Sequence, residues 1–180
     1  MPPANVVVYE HADCRDHETA RTGDEHQEGP SRLDAIRDRL QRLDGVRFTD
    51  DFPPATHTEL SRVHSKAYIQ VLNAIERDYN SGALDAVGPF SPHVAKALFP
   101  GAPICGMTMV SRGTMRAARR AAGAVIAAID GVIVSRQPGN SSDGGDGGES
   151  GDAEAAPPPV HAFCLVRPPG HHACVDGYDP

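Results

Sequence analysis

The sequence predicts an α/β domain built on a parallel sheet, and three observations indicate it. Residues 5–9 and 160–166 are compact apolar runs without helical spacing, which is typical of strands buried on both faces. Segments with apolar residues at helical intervals lie between these two runs. A strand, two helices and a second strand in this order favour a parallel sheet with crossover helices.

The first half of the chain contains two predicted helices separated by a short strand. Ser31 followed by Asp34 resembles a capping signal, and the periodic residues after it end at Gly45. Residues 46–48 form a candidate strand. Thr56 and Glu59 form a T-x-x-E capping box, and an amphipathic pattern continues from there toward Asp78 as one helix.

The second half alternates between irregular and ordered segments. Residues 81–109 hold so many glycines and prolines that a long loop is expected. An alanine-rich helix covers residues 117–134 and is expected to pack closely on a sheet. Residues 135–159 are Gly, Ser, Asp and Pro-rich and cannot bury enough apolar area to offset the entropy of ordering, so we expect a flexible acidic insertion.

Composition excludes several classes of protein. The net charge is −7, and 17 Lys and Arg are dispersed among 24 Asp and Glu, which argues against direct nucleic-acid binding. Charged residues interrupt the apolar stretch 117–134, so it is not expected to span a membrane. Four cysteines without a C-x-x-C pair and an N-terminus without a secretory signal favour a reduced, intracellular protein, in the nucleus or cytoplasm.

The segment R-P-P-G-H-H-A, residues 167–173, carries the strongest indication of chemistry. Two prolines stiffen the exit from the second apolar run, and Gly170 permits a close backbone approach. The tandem pair His171 and His172 suits acid–base work beside a separately held ion. Two alternatives stay open: ordinary loop histidines, or a zinc site that adds Cys164 and Cys174 to the pair.

The same segment resembles the signature of the zinc-dependent histone deacetylase family, which includes acetylpolyamine amidohydrolases. Three further segments match in order. H-Q-E-G-P-S-R-L at residues 26–33 resembles the family's H-P-E-x-P-x-R-L, A-T-H-T-E-L-S-R-V-H-S-K-A-Y at 55–68 resembles A-T-x-E-E-L-x-x-V-H-S-x-x-Y, and T-M-V-S-R-G-T at 108–114 resembles T-x-x-S-x-G-T. The resemblance is closest to the class II and bacterial branches.

The resemblance implies a three-layer arginase/deacetylase-like parallel sheet flanked by helices. It also implies hydrolysis of acetylated lysine side chains on a protein substrate by water that zinc activates. His171 and His172 match the catalytic pair, one as general base and acid and the other as its electrostatic partner. Arg32 matches an arginine near the inner channel by which acetate leaves, and Gly170 is placed along the same channel. The residues themselves equally allow Arg32 to be an exposed cation at a helix start.

Other features depart from the family pattern. Gln27 replaces a proline, and Met107 stands where many relatives carry a substrate-binding aspartate. The family's zinc ligands follow the matched segments, and no such set is identifiable here, so no bound metal is expected for the 180 residues alone. We therefore expect residues 1–180 to be the N-terminal part of a deacetylase domain with an incomplete sheet. The competing expectation is a non-catalytic pseudoenzyme or interaction module.

Overall fold

The structure is a computed structural model that describes residues 5–19, 27–83, 87–89, 109–136, 160–170, 173 and 175. Its strands are β1 (Val6–Glu10), β2 (Val46–Thr49), β3 (Val87–Pro89), β4 (Met109–Ser111) and β5 (His161–Leu165). Its α-helices are α1 (Ser31–Leu40), α2 (His57–Leu60), α3 (Lys66–Asn80) and α4 (Thr114–Ser135), and a 3₁₀ turn covers Ala12–Arg15.

The central sheet has the order β2-β1-β5, and both strand pairs are parallel. β1 lies in the middle, and its register pairs Val8 with Phe48 on one side and with Phe163 on the other. Val7 and Val8 are fully buried and point to opposite faces, because side chains alternate along a strand. Each face therefore carries its own core.

Helices cover the two faces. On one face, Val7 packs with Ala124 and Ala128 of α4, and on the other Val8 packs with Leu33 of α1. Two glycines allow α4 to approach its neighbours closely. A Cβ at Gly113 would overlap the backbone of Asp16, and a Cβ at Gly123 would overlap the backbone at Pro53.

The parallel α/β sheet with flanking helices confirms the predicted fold class, and four local predictions were wrong. The pattern starting at the capping box of Thr56 and Glu59 forms two helices, because a second cap intervenes: the Ser65 hydroxyl accepts from the Tyr68 N–H. The N-cap of α1 is Pro30, without a side-chain cap.

The third difference concerns β5, which was expected to be buried on both faces. His161, Ala162 and Phe163 are exposed, because within the described residues β5 has a paired strand on one side only. The fourth difference concerns the expected long loop of residues 81–109, since Val87–Pro89 within it forms β3 and pairs antiparallel with β4.

Two further predictions concern the acidic insertion and the absence of a membrane-spanning helix. Residues 137–159 of the expected acidic insertion lie outside the described residues, and Ser135 is the last residue of α4. None of the helices in the described ranges is long and apolar enough to cross a membrane.

Candidate functional site

The candidate site is the edge of the sheet at which β1, β2 and β5 end. The strands are parallel, so their carboxyl ends meet at one edge, with Glu10 of β1 paired to Leu165 of β5. Ligands of open α/β sheets bind outside such carboxyl ends. The segment R-P-P-G begins here, since Arg167 follows β5 by two residues.

Arg167 is buried, with 2% of its surface exposed, and Glu28 pairs with its guanidinium. Nε donates to both carboxylate oxygens of Glu28 at 2.9 Å, and Nη2 donates to Oε2 at 2.6 Å. Nη1 donates to the His17 carbonyl at 3.0 Å, and Nη2 also donates to the Glu28 carbonyl at 2.9 Å. A buried charge is tolerated only when it is paired and hydrogen-bonded in this way.

A second set of polar contacts joins this ion pair to the start of α4. The Nδ1 atom of His17 lies 2.9 Å from the Thr114 hydroxyl, which accepts from the Ser111 N–H at 2.8 Å. The Ser111 hydroxyl accepts from the Glu18 N–H at 3.0 Å. His17, Ser111 and Thr114 are all buried, so these hydrogen bonds fix the segment that carries the His17 carbonyl.

These contacts bring the segments of the sequence resemblance together. Glu28 belongs to H-Q-E-G-P-S-R-L, Arg167 to R-P-P-G-H-H-A, and Ser111 and Thr114 to T-M-V-S-R-G-T. The fourth segment also reaches the loop after β5, because the Ser65 N–H donates to the carbonyl of Val175 at 2.8 Å. Matches that are scattered along the chain are therefore contiguous in the structure.

The structure describes two of the four predicted site residues. His171 and His172 lie outside the described residues. Arg32 lies in the first turn of α1 with its side chain 59% exposed, and its guanidinium is 3.7 Å from Glu28. This is the position of an exposed cation at a helix start, and its role in a channel stays a prediction.

Gly170 is exposed, and a Cβ there would meet no atom within 4 Å other than its chain neighbours. The close approach expected at Gly170 is therefore not made by another described part of this chain. Its assignment to a substrate or product channel stays a prediction.

The thiols close to this edge are poorly suited to react. Cys14 is fully buried and Cys164 is half-buried. Burial raises the pKa of both thiols, and at Cys14 a backbone hydrogen bond from Arg167 acts in the opposite direction. The alternative zinc site of Cys164 with Cys174 and the two histidines includes three residues outside the described ones.

The described donor atoms bear on metal ligation. Within the part of the chain that the structure describes, no three His, Cys, Asp or Glu side chains lie close enough together to hold a metal ion. Two of the described carboxylates at this edge, Glu10 and Glu28, are instead paired with Arg37 and Arg167. These residues do not fit a zinc site.

Glu28 and Arg167 lie within two of the motifs of the sequence resemblance, but neither residue was predicted to belong to the site. No local signal revealed the pair, because an arginine after a strand is usually exposed and its partner lies 139 residues away in the sequence. His17 gave no signal either, since it stands alone in a polar stretch.

The chain is similar to proteins of one known family. A family model described as the histone deacetylase domain matches residues 26–178. Histone deacetylase 10, chloroplastic, of Oryza sativa subsp. japonica is 29% identical over 161 residues, which cover 84% of this chain and 29% of that protein. Type-2 histone deacetylase 1 of Dictyostelium discoideum is 27% identical over 202 residues, covering 96% of this chain and 12% of that protein.

A solved structure supports the same fold. The crystal structure of the HDA15 HD domain superposes with a TM-score of 0.64 at 20% identity and covers 98% of this chain. The match covers 39% of the HDA15 chain. This chain therefore spans less than a third of the curated relatives it matches and under half of the solved domain.

Proposed function

Because this chain belongs to the histone deacetylase domain family, we propose that it forms the N-terminal part of an amidohydrolase that removes acetyl groups from lysine side chains of proteins. The observation that supports this most is the buried pair of Arg167 and Glu28. It anchors the chain at the exit of β5, three residues before the glycine that precedes the tandem histidines. A base that acts on water needs such fixed positioning.

In the proposed reaction His171 and His172 act on the attacking water and on the leaving amine. One imidazole takes a proton from water as the oxygen attacks the acetyl carbonyl, and it returns the proton to the lysine nitrogen as the C–N bond breaks. The second imidazole stabilises the charge that forms beside it. Arg32 attracts the acetate product.

Zinc in a complete family domain polarises the water and the carbonyl. Since the described residues do not fit a zinc site, we assign no step to zinc here. In the family that the sequence resembles the zinc ligands follow the matched segments, so we propose that they lie outside residues 1–180. The 180-residue chain alone is then inactive. An acetylated histone or non-histone protein is the proposed substrate, and the nucleus or cytoplasm the proposed compartment.

Elemental analysis and turnover of an acetyl-lysine peptide test this proposal. We expect the purified 180-residue chain to bind no stoichiometric zinc and to release no acetate. A protein extended by the remaining part of the domain should do both, and replacing His171 with Ala should remove turnover while zinc stays bound. Stoichiometric zinc with turnover in the 180-residue chain would contradict the proposed division of the site.

The second candidate is a non-catalytic interaction module. One observation favours it: two carboxylates at this edge, Glu10 and Glu28, are paired with arginines. Sequencing the transcript past Pro180 distinguishes the two proposed functions. An in-frame D-x-H-x-G-x-G-T strand supports the enzyme, and a stop codon directly after Pro180 supports the module.

A further inference from the structure

His17 contacts both the start of α4 and the ion pair of Arg167 and Glu28, and its side chain is 6% exposed. Its Nδ1 atom lies 2.9 Å from the hydroxyl of Thr114, the first residue of α4. Its Nε2 atom lies 3.9 Å from the Glu28 carboxylate, and its carbonyl accepts from Nη1 of Arg167 at 3.0 Å. One residue therefore joins the first turn of α4 to the residue that follows β5 by two positions.

The backbone on both sides of His17 is held against the same part of the fold. The Ser111 hydroxyl donates to the Asp16 carbonyl at 3.3 Å and accepts from the Glu18 N–H at 3.0 Å. Gly113 lies directly against Asp16, since a Cβ at Gly113 would overlap the Asp16 backbone. We therefore expect residues 16–18 to stay attached to the start of α4 when the His17 ring is replaced.

Arg167 receives two contacts from the segment that follows β1. Its backbone forms a hydrogen bond with the buried Cys14 thiol, and its guanidinium donates to the His17 carbonyl. Cys14 is part of the apolar core around Val8, whereas His17 belongs to no hydrophobic cluster among the described residues. Its burial is therefore accounted for by its polar contacts, and satisfied buried networks of this kind fix one arrangement of the groups they join.

We propose that His17 is a positioning residue of the candidate site. Its ring, held at Thr114, orients the His17 carbonyl toward the Arg167 guanidinium and so fixes the direction in which the chain leaves β5 toward His171 and His172. The inference rests on the proposed function, in which these two histidines act on water. A displacement of about 1 Å can lower the rate of such a step about a hundredfold, so a fixed exit from β5 matters for the reaction.

Two amide substitutions distinguish the two nitrogen atoms of the His17 ring. The Asn amide places a polar atom near the position of Nδ1, and the longer Gln amide places one near the position of Nε2. We expect His17→Asn to keep the contact with Thr114 and His17→Gln to lose it. In NMR spectra of the 180-residue chain, the imidazole signals of His171 and His172 should shift in His17→Gln and keep their wild-type positions in His17→Asn.

Thr114→Val removes the same contact from the other side and provides a second, independent variant. It should shift the same imidazole signals, and its combination with His17→Gln should shift them no further, because both changes remove one interaction. Circular dichroism verifies that each variant is folded. Unchanged signals in His17→Gln, equal shifts in His17→Asn and His17→Gln, or additive shifts in the double variant would each overturn the proposal.

Kinetics of the protein extended by the remaining part of the domain distinguish this proposal from the hydrolase proposal. His17→Gln should lower kcat about tenfold or more at a nearly unchanged KM, and His17→Asn should stay close to the wild type. Equal kcat values in the wild type and in His17→Gln would contradict the positioning role. An extended wild type without turnover contradicts the hydrolase proposal instead, because the NMR comparison measures the imidazole signals and no hydrolysis.

Discussion

Arg167 and Glu28 are separated by 139 residues in the sequence and form a bidentate ion pair. Nε and Nη2 of the arginine lie 2.6 to 2.9 Å from the carboxylate oxygens. The arginine side chain is 3% exposed and the glutamate side chain 20%. This pair links the segment before α1 to the exit of β5.

Replacing Arg167 with Met should therefore be costly. Removing one partner of a buried ion pair leaves the other charge without compensation, and we expect the free energy of unfolding to fall by about 3–5 kcal/mol. Urea denaturation measures it. Arg167→Lys retains the positive charge but loses the bidentate guanidinium geometry. It should therefore lower the free energy of unfolding by less than Arg167→Met and keep the chain folded for comparison.

The matched control for this prediction is Arg15→Met. Arg15 pairs with Asp34, and the two side chains are 34% and 60% exposed. Exposed pairs contribute under about 1 kcal/mol. Equal losses for Arg15→Met and Arg167→Met would show that burial of the second pair has no energetic consequence.

Thr114→Val should destabilise the protein although the two side chains have nearly the same shape. The substitution removes the oxygen that accepts from the Ser111 N–H and lies 2.9 Å from Nδ1 of His17. Leaving buried polar groups unpaired costs about 1–3 kcal/mol, which thermal or urea denaturation detects. Thr58→Val at an exposed position of α2 is the control, and a loss of similar size there would contradict the prediction.

The capping box of α2 makes a pH-dependent prediction. Hydrogen bonds from the Thr56 backbone and hydroxyl lower the pKa of Glu59. A carboxylate with a lowered pKa stabilises the fold above its unfolded-state pKa, and that stabilisation is lost as the pH falls through the folded-state pKa. The cap should therefore weaken in acid.

An NMR titration of the Glu59 carboxylate in the wild type and in Thr56→Ala tests this. The pKa should rise toward its ordinary value in Thr56→Ala, because the hydroxyl contribution is lost. Thr58→Ala should leave it unchanged. An identical pKa in the wild type and in Thr56→Ala would show that the box has no influence on the carboxylate.

Two glycines should respond differently to an added methyl group. Gly123→Ala gains helix propensity, but its Cβ meets the backbone at Pro53 and Ala55, and overpacking of this kind costs about 1–3 kcal/mol. Gly170→Ala meets open space and should leave the free energy of unfolding nearly unchanged. Differential scanning calorimetry compares the two, and a stabilised Gly123→Ala variant would contradict the close packing of α4.

Local patterns predicted much of the fold. β1, β5 and α4 were predicted from apolar runs and helical spacing, and the capping box fixed the start of α2. The break between α2 and α3 was missed because Leu60 and Val63 continue the apolar pattern, although Val63 is 63% exposed. Strands of three residues, as in β3 and β4, are too short to show a period.

Non-local contacts limited the prediction of the site. The apolar run of β5 and the prolines after it predicted that the tandem histidines follow the carboxyl end of a strand. It could not show that Arg167 is buried, since its partner Glu28 lies in another segment and neither residue alone reveals the pairing. The exposure of Phe163 could not be predicted either, because the same apolar run is compatible with a central strand and with an edge strand.

The most direct test of the account is the placement of His171 and His172 in a crystal structure of the 180-residue chain. We expect both imidazoles at the carboxyl edge of the sheet, facing the crevice between the ends of β1 and β5, with Arg167 and Glu28 paired beneath them. Imidazoles that point into bulk solvent, away from that crevice, would contradict the proposal that acetyl-lysine hydrolysis takes place at this edge.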